Sequence, residues 1–161
     1  MNTSSGIKFE RVVLETILSY EEFNMDSIKN QNIFAYNENT KNMVNVLDRV
    51  LYKNYPYFYG NIQKRTEFYL HDKIKNLRTR IECKFEDVVG TAHEKWGYQH
   101  ALFPKEDETD FILIYHGKYY EEHPDVVEAF KSDILSKPNF HVLTLEMFDK
   151  LILSKYYTKK S

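Results

Sequence analysis

A single cysteine, Cys83, rules out an intramolecular disulfide, and the sequence has no C-x-x-C and no closely spaced histidine pair of the kind that holds zinc. That cysteine usage suits a reducing, cytoplasmic setting. The six histidines are dispersed, without His-Asn-His or metal-ligand spacing, and read as surface or satisfied core residues. No apolar run approaches the roughly 20 residues that span a bilayer, and the N-terminus lacks a charged-then-apolar signal pattern, which sets membrane and secreted classes aside. An excess of either charge is missing too, since 22 Lys plus Arg stand against 24 Asp plus Glu for a formal charge of -2. No global positive field announces a nucleic-acid partner, so such a partner would need a local basic face, or metal ions that offset clustered carboxylates.

What is present is apolar surface: 42% hydrophobic and 16% aromatic residues in 161 give enough to bury the core of one globular domain over residues 1–161. Ser4 or Ser5 can cap a first helix from about Ile7 to about Glu22, with Ile7, Val13, Leu14, Ile17 and Leu18 at helical spacing. Asn24 to Asn39 is Asn-rich and without period, as a surface connection would be. Met43, Val44, Val46, Leu47, Val50 and Leu51 form a broad stripe that predicts a second helix, broken by the aromatic run Tyr55 to Gly60.

From Thr66 the period becomes two. Glu67-Phe68-Tyr69-Leu70 and Thr79 to Phe85 alternate as half-buried strands do, with His71 to Arg78 as their connection, so a hairpin is expected. Thr91 with Glu94 three residues later makes a capping box and predicts a helix over Ala92 to Leu102. Asp110 to Tyr115 is a continuous apolar run of the kind buried on both faces of a sheet. A helix opened by Pro124, a strand over Phe140 to Leu145 and a C-terminal helix follow, so strand, crossover helix and strand argue for a parallel pair. The expected class is α/β, a mixed sheet flanked by helices.

Closing the hairpin symmetrically sets Leu70 opposite Thr79 and therefore Glu67 opposite Glu82. Arg80, Glu82 and Lys84 then share one face, and Ile81, Cys83 and Phe85 the other, joined by Phe68 and Leu70. Like charges directly across a ladder destabilise it by up to about 1 kcal/mol, which invites a function or a counterion. Magnesium is held by one or two carboxylates plus waters and phosphate oxygens, and two acids on adjacent strands with a lysine one pleat away match that habit. A rival first acid, Asp72, lies five residues beyond Glu67 at about 3.3 Å each, too far to share one ion with Glu82, and reads as a turn residue. Glu10 falls within the apolar stripe of the first helix, where it either answers the helix dipole or reaches toward the carboxylate cluster.

Glu67 followed by Glu82-Cys83-Lys84 on the next strand resembles the paired signature of the PD-(D/E)XK nuclease superfamily, and Gly90-Thr91-Ala92-His93-Glu94-Lys95 looks like a Gly-small-x-x-Glu-Lys segment of several such enzymes. The chain departs from the usual Pro-Asp in offering Thr66-Glu67. The resemblance covers most of the chain and implies a restriction-endonuclease-like core and Mg2+-dependent hydrolysis of DNA to 5′-phosphate and 3′-hydroxyl ends. In that reading Glu67, Glu82 and the carbonyl of Cys83 bind Mg2+, Lys84 activates water, and Glu10 supports the cluster. Lys95, with Gln99 one turn on, is a candidate for a DNA phosphate; Glu94, Trp96 and Tyr98 are explained by capping and packing. A type II restriction-like enzyme, working as a homodimer because one such site cuts one strand, stands first. A Holliday-junction or repair nuclease, and a nuclease-like binding module without catalysis, are the alternatives.

Overall fold

The computed structural model describes residues 3–23, 28–30, 49–59, 62–86, 110–133 and 138–161. Helix α1 (Thr3–Leu18) precedes a six-stranded sheet whose spatial order follows the chain: β1 (Ile28–Asn30), β2 (Arg49–Tyr59), β3 (Ile62–Asp72), β4 (Leu77–Phe85), β5 (Asp110–His116) and β6 (Phe140–Thr144). β2, β3 and β4 run antiparallel, while β1 lies parallel to β2, and β4, β5 and β6 are mutually parallel. Between β5 and β6 lie α2 (Lys118–Glu122) and α3 (Pro124–Asp133), and α4 (Leu145–Phe148) runs on through a π-helical turn, Asp149–Leu153, into Ser154–Tyr156. This is the mixed sheet with flanking helices that the sequence indicates. No helix among the described residues is long and apolar enough to cross a membrane.

Period-two alternation feeds two cores. Phe68, Leu70, Ile81, Cys83, Ile112 and Ile114 meet Phe9, Val13 and Ile17 of α1 and Phe148 and Leu153 of the C-terminal helix. Phe111, Leu113, Phe140 and Val142 meet Tyr119 and Tyr120 of α2 and Val127 and Phe130 of α3. Strand β5 thus feeds both, which is why its sequence is apolar without interruption. Each such buried side chain contributes about 1.5 to 3 kcal/mol of apolar transfer, so α1 is clamped to β4 by Phe9, Val13 and Ile17.

Four expectations change. α1 begins at Thr3 and ends at Leu18, so Ser4 and Ser5 lie inside it, and its buried stripe is Phe9-Val13-Ile17 while Ile7 is 53% exposed. The end of the expected second helix is strand: Val50 and Leu51 belong to β2, as does the aromatic run from Tyr55 to Tyr59 that was expected to break it. Val, Tyr and Phe favour the pleated surface, and among the described residues the pairing of β2 with β1 ends at Lys53, before Pro56. Residues 43–48 of that helix lie outside the described residues. Within the expected Asn-rich connection, Ile28–Asn30 pairs with β2. The hairpin connection is shorter than expected, because β3 continues through Asp72 and β4 starts at Leu77. Asn76 supplies the left-handed backbone (φ 55°) that this tight turn requires, and the Lys75 N–H donates to Asp72 Oδ1 at 3.1 Å.

Candidate active site

The hairpin closes in the register the sequence implies, with Leu70 opposite Thr79 and Phe68 opposite Ile81. One step on, Glu67 comes beside Glu82, and the regular ladder lapses on both sides of Glu67. On the β2 side the interruption falls at Asn54, between the Lys53–Phe68 and Tyr55–Thr66 pairs, where φ is 56°. A left-handed non-glycine residue costs about 1 to 2 kcal/mol, and Asn accepts it more readily than most. On the β4 side the Cys83 N–H donates to Glu67 Oε2 at 3.2 Å, so the carboxylate stands where a strand partner would. Cys83 lies within the extended strand β4, where one residue's N–H and C=O point to the same side, so its carbonyl is directed toward β3 as well.

The face carrying Arg80, Glu82 and Lys84 is not the open charged face the alternation suggested. Glu82 is 2% exposed and Arg80 is buried, lying 5.4 Å from the ring centres of both Tyr55 and Tyr69, while Lys84 keeps 20% of its side chain accessible. Lys84 Nζ is 3.9 Å from Glu82 Oε2, and Glu82 Oε1 is buried without a hydrogen-bond partner. Burial, then the Glu67 carboxylate, push the Glu82 carboxyl well above its ordinary range, and Lys84 and Arg80 offset only part of this. Without a cation, the Glu82 carboxyl therefore favours its protonated form.

Glu10 is brought to the same place by α1. Burial and then Glu67 raise its carboxyl, opposed by Arg65, Lys53 and Lys84. Two cavities flank it. One, of about 350 Å³, is lined by Glu10, Arg11, Lys53, Asn54, Arg65 and Glu67; the other, of about 240 Å³, by Glu10, Glu67, Cys83, Lys84, Glu86 and Tyr120. The Cys83 thiol faces the core and is pushed well up by burial and by Glu67, Glu82 and Glu10, so it is a packing group and no nucleophile. Asp72 is remote and satisfied: its carboxylate meets Arg49 Nε at 2.8 Å and the Tyr157 hydroxyl at 2.7 Å. Lys95 and Gln99 lie outside the described residues, as does the whole expected helix from Ala92 to Leu102 with Glu94, Trp96 and Tyr98.

Several lining residues escaped the sequence reading. Arg65 was legible in principle, since it lies two residues before Glu67 on the same face of β3; Lys53 and Asn54 were hidden by the helical reading of the preceding stripe. Tyr120 and Glu86 are brought in by Gly117, whose φ of 125° lets the chain turn directly against β4. A Cβ at Gly117 would lie 2.0 Å from the Glu86 carbonyl oxygen, while the Tyr119 N–H donates to that oxygen at 3.2 Å.

The donors fit a hard divalent cation. No group of three His, Cys, Asp or Glu side chains forms a ready cage among the described residues, but magnesium needs only one or two carboxylates with waters and phosphate oxygens. The orphaned Glu82 oxygen beside a second carboxylate is the kind of unsatisfied site such an ion completes. No match to the chain is found among curated proteins or among solved structures. A family model described as a PD-(D/E)XK nuclease superfamily domain, however, matches residues 3–154, from the first helix through the acid-x-lysine strand to the C-terminal helix. The chain therefore belongs to the PD-(D/E)XK nuclease superfamily, whose members act on nucleic acid and generally use divalent metal ions.

Proposed function

We propose that this protein is a magnesium-dependent endodeoxyribonuclease whose centre is Glu67, Glu82 and Lys84. The observation that carries the reading is the buried, unpartnered Glu82 Oε1 beside a second carboxylate and a lysine ammonium. Glu67, Glu82 and the Cys83 carbonyl would hold Mg2+, which when bound supplies Lewis-acid stabilisation of the charge on the scissile phosphate. Lys84, with 20% of its side chain accessible, orients the attacking water and steadies the developing negative charge. Glu10, half-buried, joins the cluster directly or through water, and the Glu67 carboxylate is kept in place by the Cys83 amide. Arg11, Lys53 and Arg65, lining the cavity beside Glu10 and Glu67, form the local basic surface that a chain of net charge -2 needs to hold a phosphodiester strand.

One such centre hydrolyses one strand, so a type II restriction-like activity requires two copies, and we assign the protein as a homodimer when bound to duplex DNA. Val50, Leu51 and Tyr55 of the broad apolar stripe and the aromatic run do not supply that contact, because they are buried within their own chain. The test is incubation of the purified protein with supercoiled plasmid, branched DNA and single strands, with Mg2+ and with excess chelator. Metal-dependent cleavage is expected; full-rate cleavage in chelator, or none on any substrate with Mg2+, would contradict the assignment.

A further inference from the structure

Phe85 lines two cavities at once. One is the 240 Å³ cavity that holds Glu10, Glu67 and Lys84; the other, of about 530 Å³, lies between α1 and the carboxyl ends of β4, β5 and β6 and is walled by Lys8, Phe9, Val12, Phe85, His116 and Leu145. Its aromatic wall is ordered. The His116 ring stacks on Phe9 at 5.2 Å with 21° between planes, and Phe85 stands tilted beside it at 5.8 Å. Phe9 is buried and His116 is exposed, so an accessible imidazole is backed by phenyl rings that hold it from behind. Val12 adds apolar surface at 45% exposure. The acid in this lining, Glu146, is already paired with Lys150 at 2.8 Å, while Lys8 adds a cation on the α1 side.

We propose that this cavity is a nucleobase subsite, which takes an unpaired or extruded base next to the phosphate cleaved at the Glu67–Glu82–Lys84 centre, with Lys8 on a flanking phosphate. The inference rests on the nuclease reading and narrows its substrate to DNA with an accessible base at the cut. Three features select a base as the occupant. The volume lies within the roughly 300–1,000 Å³ of small-molecule pockets lined by apolar and aromatic groups with a few polar ones. A flat π surface next to a cation matches the two halves of a nucleotide, and stacking on aromatic side chains tolerates any base. Phe85 is a wall shared by the two cavities, so a base in this one would lie next to the cavity that holds Glu10, Glu67 and Lys84. A base paired inside a duplex offers only its edges, so the ring contact requires it to leave the stack.

The test uses the full chain with Ca2+ in place of Mg2+, and two duplex oligonucleotides carrying 2-aminopurine, one with that base unpaired in a bulge and one fully paired. One base–aromatic stack corresponds to about a 5- to 150-fold change in Kd, and the wild type is expected to prefer the bulged duplex within that range and to quench its fluorescence. His116→Ala should lose the preference and the quenching and bind the paired duplex as before; His116→Phe, which keeps a ring on Phe9, should retain both. Equal wild-type affinity for the two duplexes, or preference and quenching that survive in a normally melting His116→Ala protein, would overturn the subsite, as would their loss in a normally melting His116→Phe protein. Plasmid cleavage in Mg2+ separates the two readings: cleavage without preference defeats the subsite alone, whereas no binding and no cleavage of any DNA defeats the nuclease reading with it.

Discussion

The β3–β4 hairpin carries acids near both of its ends, and their surroundings are opposite. At the turn end, Asp72 is fully buried yet fully answered, by Arg49, by the Tyr157 hydroxyl and by the Lys75 N–H. At the open end, Glu82 is equally buried and has a second carboxylate for a neighbour, a lysine at 3.9 Å and an oxygen with no partner. Burial pushes both carboxyls up, but at Asp72 the Arg49 guanidinium and the hydrogen bonds outweigh it and hold the group below its ordinary value, whereas at Glu82 the Glu67 carboxylate adds to the rise. The comparison separates an acid that holds the fold from the acid proposed above to take a cation. It also gives the two ends opposite pH signs. Asp72 contributes stability above its unfolded pKa of about 3.9, lost as pH falls through its lower folded value. Glu82, with its raised folded value, favours the metal-free fold at low pH, and that contribution is lost as pH rises through the folded value.

The sharpest break in the comparison is functional. Lys84→Ala should lower cleavage by about 1,000-fold, the upper range for removing one group that stabilises transition-state charge, with a melting temperature close to wild type because the side chain is partly exposed. Glu67→Ala should be comparably harmful and Asp72→Ala should cut at near wild-type rate below its melting point; the reverse ranking would move the centre to the turn end. Next in size is stability. Asp72→Ala should cost about 3 kcal/mol, at the low end for breaking a buried ion pair, since Arg49 keeps 21% of its side chain in water; urea unfolding at pH 7 measures it. A smaller effect of opposite sign is expected from Glu82→Gln, which removes a buried group whose folded value is raised and should stabilise the metal-free protein by about 0.5 to 2 kcal/mol at pH 7 to 8. Melting curves complete the contrast: below about pH 4 the wild type should lose stability more steeply than Asp72→Asn, and a parallel decline would mean Asp72 is not held low.

Much of this site could be read from sequence because a hairpin has few free parameters. Alternation assigned faces to Ile81, Glu82, Cys83 and Lys84, and the register that sets Leu70 opposite Thr79 brought the two glutamates together. The family match over residues 3–154 agrees with what the Glu67 and Glu82-Cys83-Lys84 pattern implied. Periodicity failed where two periods share residues. Val50 and Leu51 fit a helical stripe as well as a strand, and only pairing with β3 decides between them, which local pattern does not encode. Tertiary burial was equally invisible: Arg80 and Glu82 alternate as surface residues would, and the tyrosines that cover Arg80 come from β2 and β3. The Phe85–His116 contact joins neighbouring parallel strands across a long stretch of chain, so nothing local announced the second cavity.

Calorimetric titration of Mg2+ into the wild type, Glu82→Gln and Asp72→Asn, each at a temperature where it is folded, addresses the difference between the two ends most directly. Binding should be present in the wild type and Asp72→Asn, should weaken as pH falls because the ion displaces a proton from Glu82, and should be absent from Glu82→Gln. Undiminished binding by Glu82→Gln, or its loss in Asp72→Asn alone, would contradict the placement of the metal centre at the open end of the hairpin.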